Sequence, residues 1–376
     1  MNFLFSEEQM LLQESMAKLI DNDYTFEHRQ KNLLATEGYS LSDWATFAQL
    51  GWLGVTFDQK YGGFGGGPIE LMLMFEQLGK GLVVEPFLPS IVLAGGALNL
   101  LGTDAQKQRL LLGLIDGSKQ STLAFAEPSS QYDLCSVGTS LTKANKGYLL
   151  NGEKIVVVNG SNADFLVVVA RSSGEHSQKD GISLCLVPGN ATGIAKRDYP
   201  ALDGVHAAEI GFSNVSVHEE DILGPIGKGF SVLEEVIDQG TLAIGSEAVG
   251  CMEVLYKATV EYCKNRQQFG QAIGTFQVLK HRMVDMFMEY EQAKSLMYIA
   301  AMQMDEGYNS EAKKAVSAFK VQVGKSGRFI GQNAVQLHGG MGMTEELSIG
   351  HYFKRLIMAD TFFGNTDFHI NRFGKL

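Results

Sequence analysis

Residues 265–277 combine side chains suited to binding a phosphorylated aromatic ligand. Arg266 lies at the end of a predicted helix, and Phe269 and Gly270 follow three and four residues later. The arginine offers a planar cationic fork, the phenylalanine a flat apolar ring, and the glycine a tight turn. Together they suit a diphosphate attached to an aromatic ring system. The alternative is a surface arginine before a glycine that only ends the helix.

A single acid stands out on the helix that precedes this segment. Between Ala243 and Tyr262 there is no proline, and apolar residues recur at spacings of three and four. This pattern predicts one long helix with an apolar face. Glu247 lies on that face, one turn before Cys251. It is either a displaced catalytic base or a structural acid that is hydrogen-bonded in the core.

Composition narrows the class of protein. The chain has 376 residues, enough for two or three domains, and its formal net charge of −11 argues against nucleic acid as a partner. Its four cysteines show no metal-binding spacing, so we expect free thiols and no metal. There is no signal-like start and no apolar run long enough to span a bilayer, so we expect a cytoplasmic protein that does not enter a membrane.

The hydrophobic periodicity predicts an α+β protein with three domains. In residues 1–118 it is helical, with a capping-box pattern at Ser6 and Gln9 and with Pro68 at a helix start. In residues 119–223 it shifts toward two, which predicts strands, and Asn151-Gly152 predicts a hairpin turn. In residues 224–376 it is helical again. The predicted helices of the first domain cover residues 41–50, 69–78, 89–101 and 105–116; the predicted strands cover residues 123–126, 147–150, 154–158, 165–170 and 182–187.

Three motifs resemble those of the acyl-CoA dehydrogenases. The run R-Q-Q-F-G-Q-A-I-G-T-F-Q from Arg266 resembles their C-terminal-domain signature, and Q-L-H-G-G-M-G from Gln336 resembles the second one. Asn159-Gly160 matches the pattern of the middle domain. The resemblance runs essentially end to end, and it is greatest to the small subunits of pimeloyl-CoA dehydrogenases and to steroid-side-chain dehydrogenases that work as unlike pairs.

This resemblance implies a fold and a reaction. The fold is an N-terminal helical domain, a middle β-barrel domain and a C-terminal four-helix bundle. The reaction is the FAD-dependent α,β-dehydrogenation of an acyl-CoA thioester, in which a carboxylate removes the α proton. The two positions at which the family carries that carboxylate correspond here to Phe363 and Gly240, neither of which accepts a proton. Glu247, two helical turns beyond Gly240, is the remaining candidate for the catalytic base.

The residues that correspond to the family's flavin contacts divide into two sets. In the family each FAD lies at a dimer interface, and the set supplied by the neighbouring chain is retained here: Arg266, Phe269, Gln277, Gln336, Gly339 and Gly340. Much of the flavin-ring pocket is replaced, because Ala126, Val156 and Val158 stand where the family has threonine or tryptophan. Their aliphatic side chains cannot hydrogen-bond to a flavin.

The resemblance therefore leaves more than one role open. The chain is expected to act on an acyl-CoA, with an electron-transfer flavoprotein as electron acceptor, either as a homo-oligomer or with a paralogous subunit in an α2β2 tetramer. One alternative is a non-catalytic partner that completes the FAD site of a catalytic paralogue. Another is an oxidase or nitroalkane-type enzyme of the same fold, against which the missing base also argues.

Overall fold

The computed structural model describes residues 5–376. By packing, the chain divides into two compact units. One contains the residues up to Lys31 together with Gly67–Val83 and Thr241–Leu376. The other contains Asn32–Gly66 and Val84–Gly240. The predicted order of a helical part, a β part and a second helical part is confirmed. The boundaries at residues 118 and 223 stay a prediction.

The helices of the first part begin and end close to their sequence signals. Ser6 caps the first helix in a capping box with Gln9, and Pro68 is the first residue of the fourth, as predicted. The predicted helix over residues 89–101 is instead a π-helix, Phe87–Gly95, which runs into a short α-helix. The second helix was not predicted. The bounds are α1 Glu7–Asp23, α2 Phe26–Leu33, α3 Leu41–Gln49, α4 Pro68–Gly81, α5 Gly96–Leu101 and α6 Asp104–Ile115.

Helix α4 is apolar and buried around most of its circumference, which is typical of a helix at the centre of a core. The last carbonyl groups of a helix have no partner within the helix, and here distant side chains bind two carbonyls at its C-terminal end. Arg29 Nε donates to the Leu82 carbonyl oxygen at 3.0 Å, and the Tyr352 hydroxyl donates to the Lys80 carbonyl oxygen. Side chains from widely separated parts of the sequence thus complete the end of α4.

The β part is one eight-stranded sheet. Its strands are β1 Ser121–Ala124, β2 Ser140–Lys143, β3 Tyr148–Val158, β4 Phe165–Arg171, β5 Ile182–Pro188, β6 Ile194–Pro200, β7 His206–Val217 and β8 Ile222–Leu223. The order is β6-β7-β3-β2-β4-β5-β8, and β1 pairs in parallel with β4. Its buried core includes Leu150, Val168, Cys185, Ile210 and Val215.

The hairpin predicted at Asn151-Gly152 is wrong, because β3 runs straight through these residues. The dipeptide lies at a shift in the register between β3 and β7. Gly152 has φ 143, and a Cβ atom there would come within 2.7 Å of Thr139. Asn151 Oδ1 accepts a hydrogen bond from the Asn214 amide at 2.7 Å. Close backbone approach, rather than chain reversal, requires this glycine.

The last part of the chain is helical, with a small hairpin after its first helix. Its helices are α7 Phe230–Asn265, α8 Gln277–Asp305, α9 Ser310–His338, α10 Ser348–Thr361 and α11 Thr366–Lys375, and the hairpin strands are β9 Gln267–Gln268 and β10 Gln271–Ala272. The predicted long helix is confirmed and begins earlier than its apolar face indicated. Within residues 5–376, none of the helices has the length and apolar character that crossing a membrane requires.

Candidate functional site

The hairpin between α7 and α8 presents two of the predicted site residues. Arg266 follows α7 directly, its amide donates to the Tyr262 carbonyl oxygen at 2.8 Å, and its side chain is exposed. Phe269 and Gly270 are the two residues of the turn between β9 and β10, with φ values of 55° and 79°. Two positive φ values are typical of a type I′ turn, which favours Asn-Gly. Phe269 is 90% exposed at its tip.

The end of α9 carries three more of the predicted residues, Gln336, Gly339 and Gly340, and all three are exposed. His338, between them, is buried, and its ring lies 4.3 Å from that of Tyr262 in α7. This contact brings the end of α9 close to the start of the hairpin. Burial lowers the pKa of His338, and its Nδ1 donates to the Ala334 carbonyl oxygen at 2.8 Å. His338 thus has a structural role in joining α7 to α9.

Gln277, the sixth residue of this set, begins α8 and is also exposed. All six side chains or glycines therefore lie on the protein surface, where a second molecule can reach them. Their assignment as flavin contacts stays a prediction.

Glu247 is engaged by a partner that sequence reasoning missed. Arg355 in α10 donates Nε to Oε1 at 2.5 Å and Nη2 to Oε2 at 2.8 Å. The Glu247 and Arg355 side chains are only 5% and 12% exposed. A Cβ atom at Gly79 would lie 2.0 Å from the Glu247 carbonyl oxygen, so α4 and α7 touch here. The bidentate pair favours the structural interpretation of Glu247, since both carboxylate oxygens are already occupied.

Phe363, at the position of the family's base, lies in the turn between α10 and α11. Its φ is 57°, its side chain is only 8% exposed, and Gly364 follows with φ 113°. Two buried side chains, Lys320 and His369, bond to the backbone of this turn. The Lys320 contact could not be predicted from the sequence, because Lys320 on α9 is 44 residues away from Gly364.

In the β part, a buried ion pair holds the segment that corresponds to the flavin-ring pocket. The Glu127 carboxylate accepts from Lys154 Nζ at 2.6 Å, from the Gly138 amide at 2.7 Å and from the Thr139 amide at 2.9 Å. Burial lowers the pKa of the fully buried Lys154 to about 8. Burial alone would raise the pKa of Glu127, but Lys154 lowers it below its ordinary value. The pair fixes the backbone on both sides of Ala126.

Backbone strain concentrates in the predicted site segments. Among the described residues, four of the seven non-glycine positions with positive φ fall there: Val156, Asn159, Phe269 and Phe363. A branched residue such as Val156, at φ 51°, rarely adopts this conformation, and it is 43% exposed beside a shift in register. Strained residues of this kind collect at functional sites. The strain was not visible in the sequence.

The described residues contain no cluster of three or more histidine, cysteine, aspartate or glutamate side chains that could hold a metal ion.

Comparison with known proteins identifies the same three parts. The family models for the N-terminal, middle and C-terminal domains of acyl-CoA dehydrogenase match residues 6–118, 122–215 and 227–375. A short-chain-specific acyl-CoA dehydrogenase of Megasphaera elsdenii is 30% identical over 85% of this chain and 85% of its own length.

Two solved structures extend this likeness to the fold. The Tcur3481-Tcur3483 steroid ACAD has a TM-score of 0.88 at 26% identity. The match covers 98% of this chain and 97% of the chain in that structure. PigA with FAD and proline has a TM-score of 0.92 at 25% identity. The match covers 100% of this chain and 98% of the chain in that structure.

Proposed function

Because the chain belongs to the acyl-CoA dehydrogenase family, we propose that it is a subunit of an FAD-dependent enzyme that dehydrogenates an acyl-CoA thioester. A carboxylate removes the proton from the α carbon, and the β carbon loses a hydride. FAD supplies the acceptor for that hydride, and an electron-transfer flavoprotein then takes the electrons. The likeness to PigA, solved with FAD, supports this cofactor. The four cysteines are free thiols, which supports a cytoplasmic location.

One observation carries the proposal: an exposed, strained Phe269 stands beside Arg266 on a hairpin that ends α7. An arginine fork suits the diphosphate of FAD, and an exposed aromatic ring suits stacking or edge contact with an adjacent ring. Since these groups face outward, the FAD that they contact belongs to a neighbouring chain. Gln336 and Gly339 at the nearby end of α9 add to the same exposed surface.

We further propose that the neighbour is an unlike, paralogous subunit. Ala126, Val156 and Val158 offer no side-chain donor to a flavin ring of this chain's own, whereas the outward set is complete. Two lost hydrogen bonds of about 1 kcal/mol each and a lost tryptophan surface weaken flavin binding roughly a hundredfold or more. The likeness to the Tcur3481-Tcur3483 steroid ACAD supports such a pairing.

A second role within this assembly, that of a non-catalytic partner, is favoured by the occupied carboxylate of Glu247. Arg355 binds both of its oxygens, and the turn of Phe363 offers no acid in its place. In this case the paralogue supplies the base, and this chain completes the paralogue's FAD site.

The stoichiometry of FAD tests the assembly. The chain is purified alone and co-expressed with its paralogue, and flavin absorbance is compared with protein mass. We expect an α2β2 tetramer that holds two FAD, and an isolated chain that is colourless or poorly soluble. One FAD per chain in a homotetramer of this protein, with turnover of any acyl-CoA, would overturn the unlike pair.

The Glu247→Gln variant decides between the two roles. If Glu247 is the base, the variant keeps its flavin and loses several orders of magnitude in turnover. If it is structural, the buried Arg355 loses the carboxylate that binds it. We then expect a loss of about 3 kcal/mol in the free energy of unfolding, with most of the turnover retained. Rapid-mixing measurement of flavin bleaching by substrate separates the two, and normal bleaching ends the catalytic interpretation.

A further inference from the structure

A buried lysine donates hydrogen bonds to the backbone of the turn between α10 and α11. The Lys320 side chain, on α9, is fully buried, and its Nζ donates to the Asp360 carbonyl oxygen at 2.8 Å and to the Gly364 carbonyl oxygen at 2.7 Å. The Asp360 carbonyl lies in the last turn of α10, where the helix dipole favours a cation. A buried amine is costly, so its use on two backbone carbonyls indicates that the position of this turn matters.

A buried histidine holds the same turn from its other side. His369 Nε2 lies 3.2 Å from the Phe363 carbonyl oxygen, and Nδ1 lies 3.3 Å from Ser317 Oγ. Because a carbonyl only accepts, Nε2 carries the proton, and in the neutral ring Nδ1 accepts from the serine hydroxyl. Burial, with the nearby charges of Lys320 and Arg372, lowers the pKa of His369 to about 3. The ring is therefore neutral at ordinary pH, with one tautomer selected.

The backbone that these two side chains hold is strained. Phe363 adopts a left-handed conformation that an aromatic residue disfavours. Thr366, at the start of α11, donates its amide and its hydroxyl to Asp360 Oδ1 at 3.2 and 3.0 Å, which closes the turn. A Cβ atom at Gly324 of α9 would lie 2.1 Å from Thr366 Oγ1, so α9 packs directly against the turn. The strained form is thus fixed from several directions, as at other preorganised sites.

We propose that Lys320 and His369 are positioning residues that hold Phe362 and Phe363 as a fixed apolar wall for the acyl group of the substrate. The two rings lie 5.7 Å apart at a tilt of 50°, and the turn contains no charged side chain. Such a wall suits a bulky apolar acyl chain and excludes water. This inference rests on the proposed function, since it takes the ligand to be an acyl-CoA thioester.

The test compares variants that remove or retain the donors to the turn. Lys320→Met removes the side-chain donor to two carbonyls, His369→Leu removes the ring donor to the Phe363 carbonyl, and His369→Gln keeps an N–H that can reach that carbonyl. Lys314→Met is the control on the same helix, because Lys314 pairs with Glu311 at 3.1 Å and not with the turn in the described part of the chain. Each variant is made in the assembled enzyme, and thermal unfolding checks that it is folded.

Two measurements are made on each variant. The first is amide hydrogen exchange of residues 360–369. We expect exchange to be roughly ten- to a hundredfold faster in Lys320→Met and His369→Leu, since a buried carbonyl without a donor destabilises the turn. The second is steady-state kinetics with a bulky apolar acyl-CoA. We expect KM to rise in these two variants while kcat changes less, and we expect His369→Gln and Lys314→Met to resemble the wild type.

Unchanged exchange in folded Lys320→Met and His369→Leu would overturn the positioning role. So would equal effects of leucine and glutamine at position 369. Faster exchange without any change in KM would support the role of Lys320 and His369 in holding the turn. It would also show that Phe362 and Phe363 do not contact the acyl group. Absence of turnover in the wild-type complex would instead count against the proposed function, and the exchange measurement would still decide whether the two residues hold the turn.

Discussion

Two Phe-Gly turns of the described chain have nearly the same φ at the phenylalanine and opposite surroundings. Phe269 and Phe363 have φ values of 55° and 57°, and each is followed by a glycine with positive φ. Phe269 is 90% exposed at a hairpin tip, whereas Phe363 is only 8% exposed. Its turn is bonded to Lys320 and His369. The same left-handed conformation thus occurs once with an exposed ring and once with a buried ring.

The two turns differ in the contacts that stabilise a phenylalanine in the left-handed conformation. At Phe363 the neighbouring helices supply donors and packing that stabilise the turn within the chain itself. At Phe269 the part of the chain that the structure describes supplies the hairpin hydrogen bonds and an edge contact with Phe276, whose ring centroid lies 6.2 Å away. We infer that the remaining compensation at Phe269 comes from a partner, which makes the hairpin the better marker of an interface.

Replacing each phenylalanine by alanine tests this contrast most strongly. Phe363→Ala opens a cavity and is expected to lower the free energy of unfolding by about 3–5 kcal/mol. Phe269→Ala removes an exposed ring and is expected to change it by less than about 0.5 kcal/mol. Urea denaturation of the two variants in parallel measures both. Similar losses in the two variants would show that the hairpin ring is also part of the fold.

The flavin contact proposed for the exposed Phe269 hairpin also depends on Arg266. If it binds the FAD diphosphate of the partner, Arg266→Ala should cost about 1.5–3 kcal/mol of cofactor affinity, because a charge-assisted, bidentate contact is lost. Arg266→Lys should recover only part of it, since the planar fork is missing. FAD retained by the assembled complex after gel filtration is the measurement. Undiminished flavin in the alanine variant would remove Arg266 from the site.

The folding stability of the protein should depend on pH through Lys320, which binds the turn of the buried Phe363. Burial lowers its pKa from 10.5 to about 7, so between pH 7 and about 10.5 the unfolded chain binds a proton that the folded chain does not. Folding stability should therefore rise with pH in this window, by at most about 1.4 kcal/mol per unit from this group. Denaturation at pH 7 and pH 9 should show that the rise is smaller in Lys320→Met than in the wild type. Lys154, whose pKa is lowered to about 8, contributes in the same direction in both proteins and cancels.

The smallest expected effect has the opposite sign. Asparagine tolerates the left-handed conformation and is favoured in a type I′ turn, so Phe269→Asn should stabilise the chain by up to about 1 kcal/mol. The same variant should reduce the FAD retained by the complex. Gln271→Asn, on the neighbouring strand, is the control that keeps the ring. A Phe269→Asn variant that gains stability and keeps its flavin would mean that the strain serves no partner.

Local signals in the sequence predicted most of the fold. The capping box at Ser6, the proline at the start of α4 and the apolar face of α7 each depend on residues within a few turns of one another, and each is present. The Asn-Gly pair failed because its glycine is required by Thr139, the residue before β2, which no local pattern reveals. At such positions tertiary contacts outweigh the local structural preference of the residues.

The candidate site was predictable only as far as it lies in contiguous motifs. Arg266, Phe269 and the residues after Gln336 are in such motifs, and the structure exposes them together. The partner of Glu247 is 108 residues away in the sequence, so its charge could not be paired beforehand. The strain at Val156 and Phe363 was equally hidden, because φ depends on what surrounds a residue rather than on its type.

The unit that contains α4 has a consequence for synthesis on the ribosome. Gly67–Val83 belongs with Thr241–Leu376, which is translated much later. At ordinary rates of elongation, roughly ten to thirty seconds separate the two segments. During that interval the apolar surface of α4 is without its α8 neighbour, and the Lys80 carbonyl is without the Tyr352 hydroxyl. Until the unit of Asn32–Gly66 and Val84–Gly240 has been translated, the nascent chain therefore carries an apolar helix that only α1 can cover, which is the kind of segment that chaperones bind.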